Sequence, residues 1–236
     1  MKSLKNWLLV LSVLSCFGCS SSVHEDGRGC AFVSDSIQYR VEFMSEGCVR
    51  ILSFPEGDTL VTKRLVVDSQ KPAFKDYKWK DTGQQLIFST RELSVAFDKT
   101  DAAFTFQEVS TGKLLLKEKE AKKARHFKRS VAGGEQCLEV TQRFVPTDDE
   151  AIYGLGQYQN GIMNYRGKSV LLLQANMDIV NPFLISTNGY GILWDNYSST
   201  KFEDTKEGYS FTSEVGDASD YYFVYGKNMD EVVAGY

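Results

Sequence analysis

The chain has 236 residues, of which 42% are apolar and 13% aromatic, enough to bury a large core in one or two domains. Its 27 basic and 31 acidic side chains give a net charge of −4, which argues against nucleic acid as a partner. A basic run at residues 117–129 carries no ladder of aromatic residues and includes Glu118 and Glu120. We expect this run to form a solvated loop or one face of a hairpin.

Residues 1–16 have the pattern of a bacterial lipoprotein signal peptide. Lys2 and Lys5 precede an apolar run at residues 7–14, which is too short to span a membrane. The sequence Val13-Leu-Ser-Cys16 then resembles a lipobox, in which the cysteine is acylated after cleavage. The pattern predicts lipidation at Cys16, with Cys19 as the alternative acceptor and a plain signal peptide with an incidental cysteine as the alternative interpretation.

Residues 17–33 include a run of three serines and several polar residues, a composition typical of a flexible tether. We therefore expect a protein attached to a membrane through its lipid anchor and located in the cell envelope. Phe17, rather than an acidic residue, follows the predicted acceptor. By analogy with lipoprotein sorting, this favours the outer membrane of a Gram-negative bacterium, on its periplasmic or its surface face.

Three further cysteines, Cys30, Cys48 and Cys137, are too sparse to suggest a metal site or a redox motif. No two of these three form a C-x-x-C sequence, and the only histidines in the chain are His24 and His126. We expect no metal, no cofactor and no thiol nucleophile. A disulfide between two of the three remains open, and a buried free thiol is expected for at least one of them.

From about Cys30 the chain predicts one β-strand after another. Residues 37–43 alternate between apolar and polar side chains, the period of a strand with one face in a core. Similar β-branched and aromatic segments recur at residues 49–54, 86–88, 93–97, 104–106, 137–144, 169–173, 183–186, 190–194, 209–211 and 221–225. The pattern predicts an all-β fold, an antiparallel β-sandwich over residues 34–226.

Residues 227–236 predict the start of a linker helix. Asn228 is a suitable N-cap, and Glu231 stands three residues later in the capping-box position. Val232, Val233 and Tyr236 give the helix an apolar face. We expect that face to have nothing to pack on, so the helix is interpreted as truncated.

Two motifs in the second half carry the most information. Residues 151–157 read Ala-Ile-Tyr-Gly-Leu-Gly-Gln, and their glycines are wrongly spaced for a dinucleotide-binding loop. We expect Gly154 and Gly156 to mark a close backbone approach or left-handed turns. In the second motif, residues 189–198, Trp194 is expected to be a core aromatic residue, and Asp195 with Asn196 to form a strand-end turn.

Tyr153-Gly-Leu-Gly156, then Asn181-Pro-Phe183, then Trp194-Asp-Asn196 follow one another as in glycoside hydrolase family 31. Over residues 34–236 the chain resembles that family's N-terminal β-sandwich, a galactose-mutarotase-like super-sandwich. Gln157 stands where most α-glucosidases of the family have an acidic residue, and is similar to the α-xylosidase branch. The resemblance implies an enzyme whose bond-breaking part is a separate catalytic barrel.

Glycoside cleavage needs two carboxyl groups that flank the scissile bond. In family 31 both are aspartates on the (β/α)₈ barrel, and this chain shows no alternating strand–helix pattern that would supply them. No catalytic residue is therefore assigned, and the chain alone is expected to be inactive. The resemblance does imply a substrate-binding role for Asp178, because the corresponding loop of the family reaches over to the sugar pocket of the barrel.

Three classes of function follow. The first is the N-terminal fragment of a retaining α-glycosidase, implied by resemblance to be an α-xylosidase acting on xyloglucan oligosaccharides. The second is a free-standing carbohydrate-binding lipoprotein of the cell surface without catalysis, and the third is a structural lipoprotein of the envelope. A barrel with two pocket aspartates in the sequence beyond Tyr236 would favour the first.

Overall fold

The computed structural model describes residues 23–58, 73–120 and 125–236. Within these ranges the chain forms two antiparallel sheets and one short helix. The first sheet contains, in spatial order, β1 (His24–Glu25), β2 (Cys30–Ser34), β3 (Ile37–Phe43), β4 (Cys48–Pro55), β18 (Ser219–Tyr225), β15 (Tyr190–Trp194), β14 (Ile179–Ser186) and β12 (Ile152–Gln157).

The second sheet contains β13 (Ser169–Leu172), β16 (Thr200–Thr205), β17 (Gly208–Gly216), β11 (Glu135–Val145), β9 (Leu114–Glu118), β8 (Ala103–Glu108), β7 (Leu93–Asp98), β6 (Gln85–Ser89) and β5 (Lys78–Asp81). A further strand, β10 (Arg125–Ala132), pairs with β11 outside this order. The predicted all-β antiparallel sandwich is confirmed.

The core lies between the two sheets and is rich in aromatic side chains. Leu93, Val95 and Phe97 of β7 are fully buried, while the residues between them are half-buried, as alternation in a strand requires. Phe106 of β8 stacks on Phe223 of β18 with ring centroids 4.1 Å apart, which joins the two sheets directly.

The sandwich begins earlier than the predicted boundary at residue 34. Strand β2 pairs with β3 along its whole length, and within it Cys30 is 0% and Phe32 3% exposed. The prediction of a tether over residues 17–33 is therefore wrong for the strands β1 and β2. Both strands are short, and Gly27 and Gly29 lie between them, so the period-two pattern carried little signal. Residues 17–22 lie outside the described part of the chain.

The basic run contains a buried ion pair that its composition did not indicate. Strands β10 and β11 form the predicted hairpin, but the Arg125 side chain points into the core and pairs with Glu118. The Arg125 guanidinium also donates to the Tyr39 hydroxyl at 3.0 Å. Glu118 accepts from the Gln142 amide at 2.9 Å and from the Tyr221 hydroxyl at 2.8 Å. The expectation of a solvated face is wrong for this end of the hairpin.

Cys30, Cys48 and Cys137 are all free thiols. Burial raises the pKa of Cys30 to about 11 and that of Cys48 to about 12, so both remain protonated and unreactive near neutral pH. Over the described ranges, no group of side chains is arranged to hold a metal ion. In the same ranges, no helix is both long enough and apolar enough to cross a membrane.

The C-terminal helix α1 (Met229–Gly235) begins as predicted, with the Asn228 side chain accepting from the Glu231 amide at 2.9 Å. Its apolar face, however, does have a surface to pack on. Val232 is fully buried against the outer face of the first sheet, where Gly191 leaves room for it. The Tyr236 ring stacks on Phe183 at 4.1 Å. The helix is thus part of the sandwich.

A second buried acidic side chain, Glu150, lies between β11 and β12 without an ion-pair partner among the described residues. Its carboxylate accepts hydrogen bonds from Tyr190 at 2.8 Å, Ser186 at 3.1 Å and Thr147 at 3.4 Å. Burial raises the pKa of Glu150, and these hydroxyl bonds and the nearby Arg166 charge offset the effect only in part.

This raised pKa makes the stability of the sandwich depend on pH in a defined direction. Below the usual value of 4.5 the Glu150 contribution is complete, and it is lost as pH rises through the higher pKa of the folded state. We expect Glu150→Gln to become more stable relative to the native protein between about pH 4 and about pH 8. Urea unfolding across that range measures this, with the exposed Glu135→Gln as control. If the difference in unfolding free energy between Glu150→Gln and the native protein does not change with pH, the prediction is wrong.

Candidate functional site

The glycine motif on β12 brings this strand unusually close to β14. Gly154 and Gly156 have φ angles of 97° and 115°, and a β-carbon at either position would lie within 2.4 Å of a β14 carbonyl oxygen. Leu155 between them is fully buried and forms the centre of a β-bulge. The predicted close approach is confirmed, and it places Gln157 opposite Ile179, next to the predicted substrate-binding loop.

We call residues 173–178, which connect β13 to β14, the Asp178 loop. The Gln174 side chain spans this loop: its amide nitrogen donates to the Asp178 carbonyl at 2.7 Å, and its oxygen accepts from the Val180 amide at 3.1 Å. The Asp178 amide donates to the Ala175 carbonyl at 3.3 Å. Met177 at the tip is 68% exposed and has a φ of 71°, so a tight, strained turn precedes Asp178.

The Asp178 side chain itself is half-buried and lies near Tyr158. Burial raises the pKa of Tyr158 to about 12, and the charges of Tyr165 and Asp178 add to this. Among the described residues, no hydrogen bond or ion pair engages the Asp178 carboxylate. Its oxygens are therefore available to accept hydrogen bonds from hydroxyl groups, and charge makes such bonds stronger than neutral ones.

A groove of about 660 Å³ opens beside the loop, where β13 ends and β14 begins. Two segments of the family resemblance line this groove: Asn181 and Pro182 from the first, and Asp195 and Asn196 from the second. The groove is lined by Leu172, Leu173, Gln174, Ile179, Val180, Asn181, Pro182, Leu193, Trp194, Asp195, Asn196, Tyr197, Ser198, Ser199, Thr200 and Tyr236. Gln174 is thus shared between the groove and the loop, while Asp178 is not part of the lining.

The strand-end motif at residues 194–196 is built as expected. Trp194 is fully buried, stacks on Phe211 and donates to the Ser213 hydroxyl at 2.9 Å, so it is a core residue. The Asn196 side chain accepts from the Ser198 amide at 2.8 Å and closes the turn. In the described part of the chain, one Asp195 oxygen is buried without a hydrogen-bond partner.

The groove does not contain the pair of carboxyl groups that glycoside cleavage requires. Asp195 is the one acidic residue among its lining residues in the described structure. The Gln174 amide is already bonded to the backbone on both sides of Ile179, so the Asp178 carboxylate beside the groove is the group best suited to bind a polar ligand. The predicted lipidation site, Cys16, lies outside the described residues, as does Cys19.

The two large antiparallel sheets pack face to face and form a β-sandwich. The family model described as the glycosyl hydrolase 31 N-terminal galactose mutarotase-like domain matches residues 38–203. The chain belongs to this family.

The chain is similar to an α-xylosidase from Saccharolobus solfataricus. The two are 32% identical over 216 residues, which are 85% of this chain and 28% of the relative. An uncharacterized family 31 glucosidase from Pseudescherichia vulneris is 34% identical over 112 residues, 48% of this chain and 21% of that protein. The chain therefore spans less than a third of the length of either relative.

Solved structures confirm the fold. A crystal structure of a family 31 α-xylosidase from Xanthomonas citri matches with a TM-score of 0.76 at 19% identity, over 90% of this chain and 40% of that one. A family 31 α-xylosidase from a soil metagenome, complexed with xylose, matches with a TM-score of 0.74 at 22% identity, over 91% of this chain and 34% of that one. At these identities the likeness concerns the fold alone.

Gln174 is the residue of the site that sequence analysis missed. The segment Gln174-Ala-Asn-Met-Asp178 resembles an ordinary polar turn, and nothing in it shows that one side chain bonds the backbone on both sides of Ile179. The one signal in the sequence was an apolar residue, Met177, in an otherwise polar segment beside a predicted binding residue.

Proposed function

We propose that the chain is the N-terminal part of a retaining α-glycosidase of the α-xylosidase type, acting on xyloglucan oligosaccharides. The observation that carries the proposal is its 32% identity to an α-xylosidase over 85% of this chain. Gln157, at the end of β12, supports the choice of the α-xylosidase type over the α-glucosidase type.

In this proposal the sandwich supports a catalytic barrel and lends it the Asp178 loop. The half-buried carboxylate of Asp178 accepts hydrogen bonds from hydroxyl groups of the bound sugar and takes no part in breaking the bond. The nucleophile and the acid come from the barrel, because the groove of the sandwich supplies no carboxylate pair.

The proposal predicts where activity resides. The complete gene product is expected to release p-nitrophenol from p-nitrophenyl α-xyloside, and the chain described here is expected to release none. The matching β-xyloside serves as the control for specificity. Release by the isolated chain, or a complete gene product active on neither the α-xyloside nor the α-glucoside, would contradict it.

A second candidate is a carbohydrate-binding lipoprotein without catalysis. The exposed rings of Tyr197 and Tyr236 on the groove favour it, since aromatic faces pack on the C–H faces of sugars. Titration calorimetry of the isolated chain with xyloglucan oligosaccharides distinguishes the two. Binding that disappears in Tyr197→Ala would favour this candidate.

We also propose that the protein is anchored in the cell envelope, in the outer membrane, through an acyl chain on Cys16. Cys16→Ala is expected to lose a metabolically incorporated fatty-acid label and to leave the membrane fraction. Cys19→Ala is the matched control and should keep both. Label that persists in Cys16→Ala and is lost in Cys19→Ala would move the acceptor to Cys19. Label in both variants would contradict acylation at Cys16, and a native protein without label would contradict the anchor.

A further inference from the structure

We infer that Gln174 is a positioning residue for substrate: its side-chain amide fixes the Asp178 loop in the shape that presents the Asp178 carboxylate to a sugar hydroxyl. The inference rests on the proposed function, because it assumes that Asp178 contacts the substrate. It adds a residue that acts only through Asp178.

The Gln174 side-chain amide makes the two hydrogen bonds that the backbone of a neighbouring strand would make. In an extended strand, the carbonyl of one residue and the amide of the second residue after it point to the same side. Asp178 and Val180 are such a pair, and Gln174 donates to the first at 2.7 Å and accepts from the second at 3.1 Å. The Gln174 side chain therefore hydrogen-bonds the backbone of Asp178 and Val180, as a neighbouring strand would, and extends the paired part of β14 by one residue, to Asp178.

The same two bonds are what hold the strained backbone at the tip. A left-handed conformation at a residue other than glycine persists only where its surroundings fix it. Met177 is 68% exposed, so packing of its side chain supplies little of that restraint. The backbone bond from Asp178 to Ala175 is long, at 3.3 Å. In the described structure, the hydrogen bond from the Gln174 amide to the Asp178 carbonyl, at 2.7 Å, is the shorter of the two bonds that restrain this turn.

The Asp178 carboxylate depends on this restraint because it has no bond of its own among the described residues. Its position follows from the backbone of Asp178, and that backbone is bonded through its carbonyl to Gln174. When the amide is removed, Met177 can return to an ordinary conformation, and the direction in which Asp178 projects changes with it.

The test uses the complete gene product with Gln174→Ala, and Asn160→Ala as the matched control. Asn160 is also an exposed amide, and its oxygen accepts from the Ile162 amide at 3.0 Å in the neighbouring loop. We expect Gln174→Ala to raise KM for the α-xyloside about five- to thirty-fold, with kcat within about two-fold of the native value. Asn160→Ala should leave both unchanged.

A double-mutant cycle separates positioning from general damage. On an Asp178→Ala background, Gln174→Ala is expected to add less than about a two-fold further loss, because its effect passes through the missing carboxylate. Hydrogen exchange of the peptide that covers residues 174–180 should be faster in Gln174→Ala and unchanged in Asn160→Ala.

Different results would contradict the inference and the proposed function on which it rests. Unchanged exchange in Gln174→Ala, or losses that multiply in the double variant, would overturn the inference. Native kinetics for Asp178→Ala would overturn the substrate role of Asp178, and a complete gene product that is inactive on both glycosides would overturn the proposed function. Either result would remove the substrate role of Gln174 as well. The exchange result still decides whether Gln174 holds the loop.

Discussion

Arg125→Ala is expected to destabilise the sandwich by about 3–5 kcal/mol, the usual cost of leaving one partner of a buried ion pair unpaired. Glu118 would keep the Gln142 and Tyr221 hydrogen bonds, but its charge would remain in the core without the guanidinium. Because the pair links β9 to β10 between the two sheets, the loss should appear as a lower midpoint of cooperative urea unfolding.

Lys128→Ala on the same strand is the matched control. Lys128 is exposed and lies 3.9 Å from Glu139, so its removal should change the unfolding free energy by less than about 1 kcal/mol. Arg125→Met combined with Glu118→Gln should recover part of the stability, since both buried charges are then gone. Equal midpoints for Arg125→Ala and Lys128→Ala would show that the buried pair contributes little.

Asp178→Ala in the complete gene product is expected to lower kcat/KM about ten- to a hundred-fold, the effect of losing one charge-assisted hydrogen bond to substrate. Most of the loss should lie in KM, because Asp178 is proposed to hold the sugar and not to react with it. The carboxylate has no partner among the described residues, so the unfolding midpoint should stay unchanged.

Asp148→Ala, an exposed aspartate in the β11–β12 connection, is the control for Asp178→Ala. A loss of several thousand-fold in kcat would instead assign Asp178 to the chemical step. Native kinetics with native stability would return it to an ordinary surface loop residue and leave the sandwich with a supporting role only.

The sequence predicted those parts of the fold where one strand face is buried along several residues. Strands β3, β7 and β11 show this clearly, because alternation at period two leaves a repeated signal. Strands without a clear pattern were missed. Strand β2 follows directly on a polar segment that contains Gly27 and Gly29, and β12 is interrupted by a bulge at two glycines.

The buried ion pair and the Gln174 bonds were missed for a different reason. Arg125 and Glu118 belong to a run of charges, and what makes them core residues is Tyr221, about a hundred positions away. Charged residues are predicted to lie on the surface unless a partner far away in the sequence is known to pair with them in the core. Gln174 bonds residues close to it, but only the backbone conformation at Met177 shows why those bonds matter. Asp178 was predicted from resemblance alone, and its role stays a prediction.

The helix on the outer face of the first sheet also determines how the protein is best divided for study. Val232 and Tyr236 cover Phe183, Leu193 and their neighbours, which would otherwise form a continuous apolar surface on an outer sheet face. A fragment that stops at the end of β18 would expose that surface and tend to self-associate. Expression fragments and proteolytic cores of the sandwich should therefore be designed to keep residues 227–236.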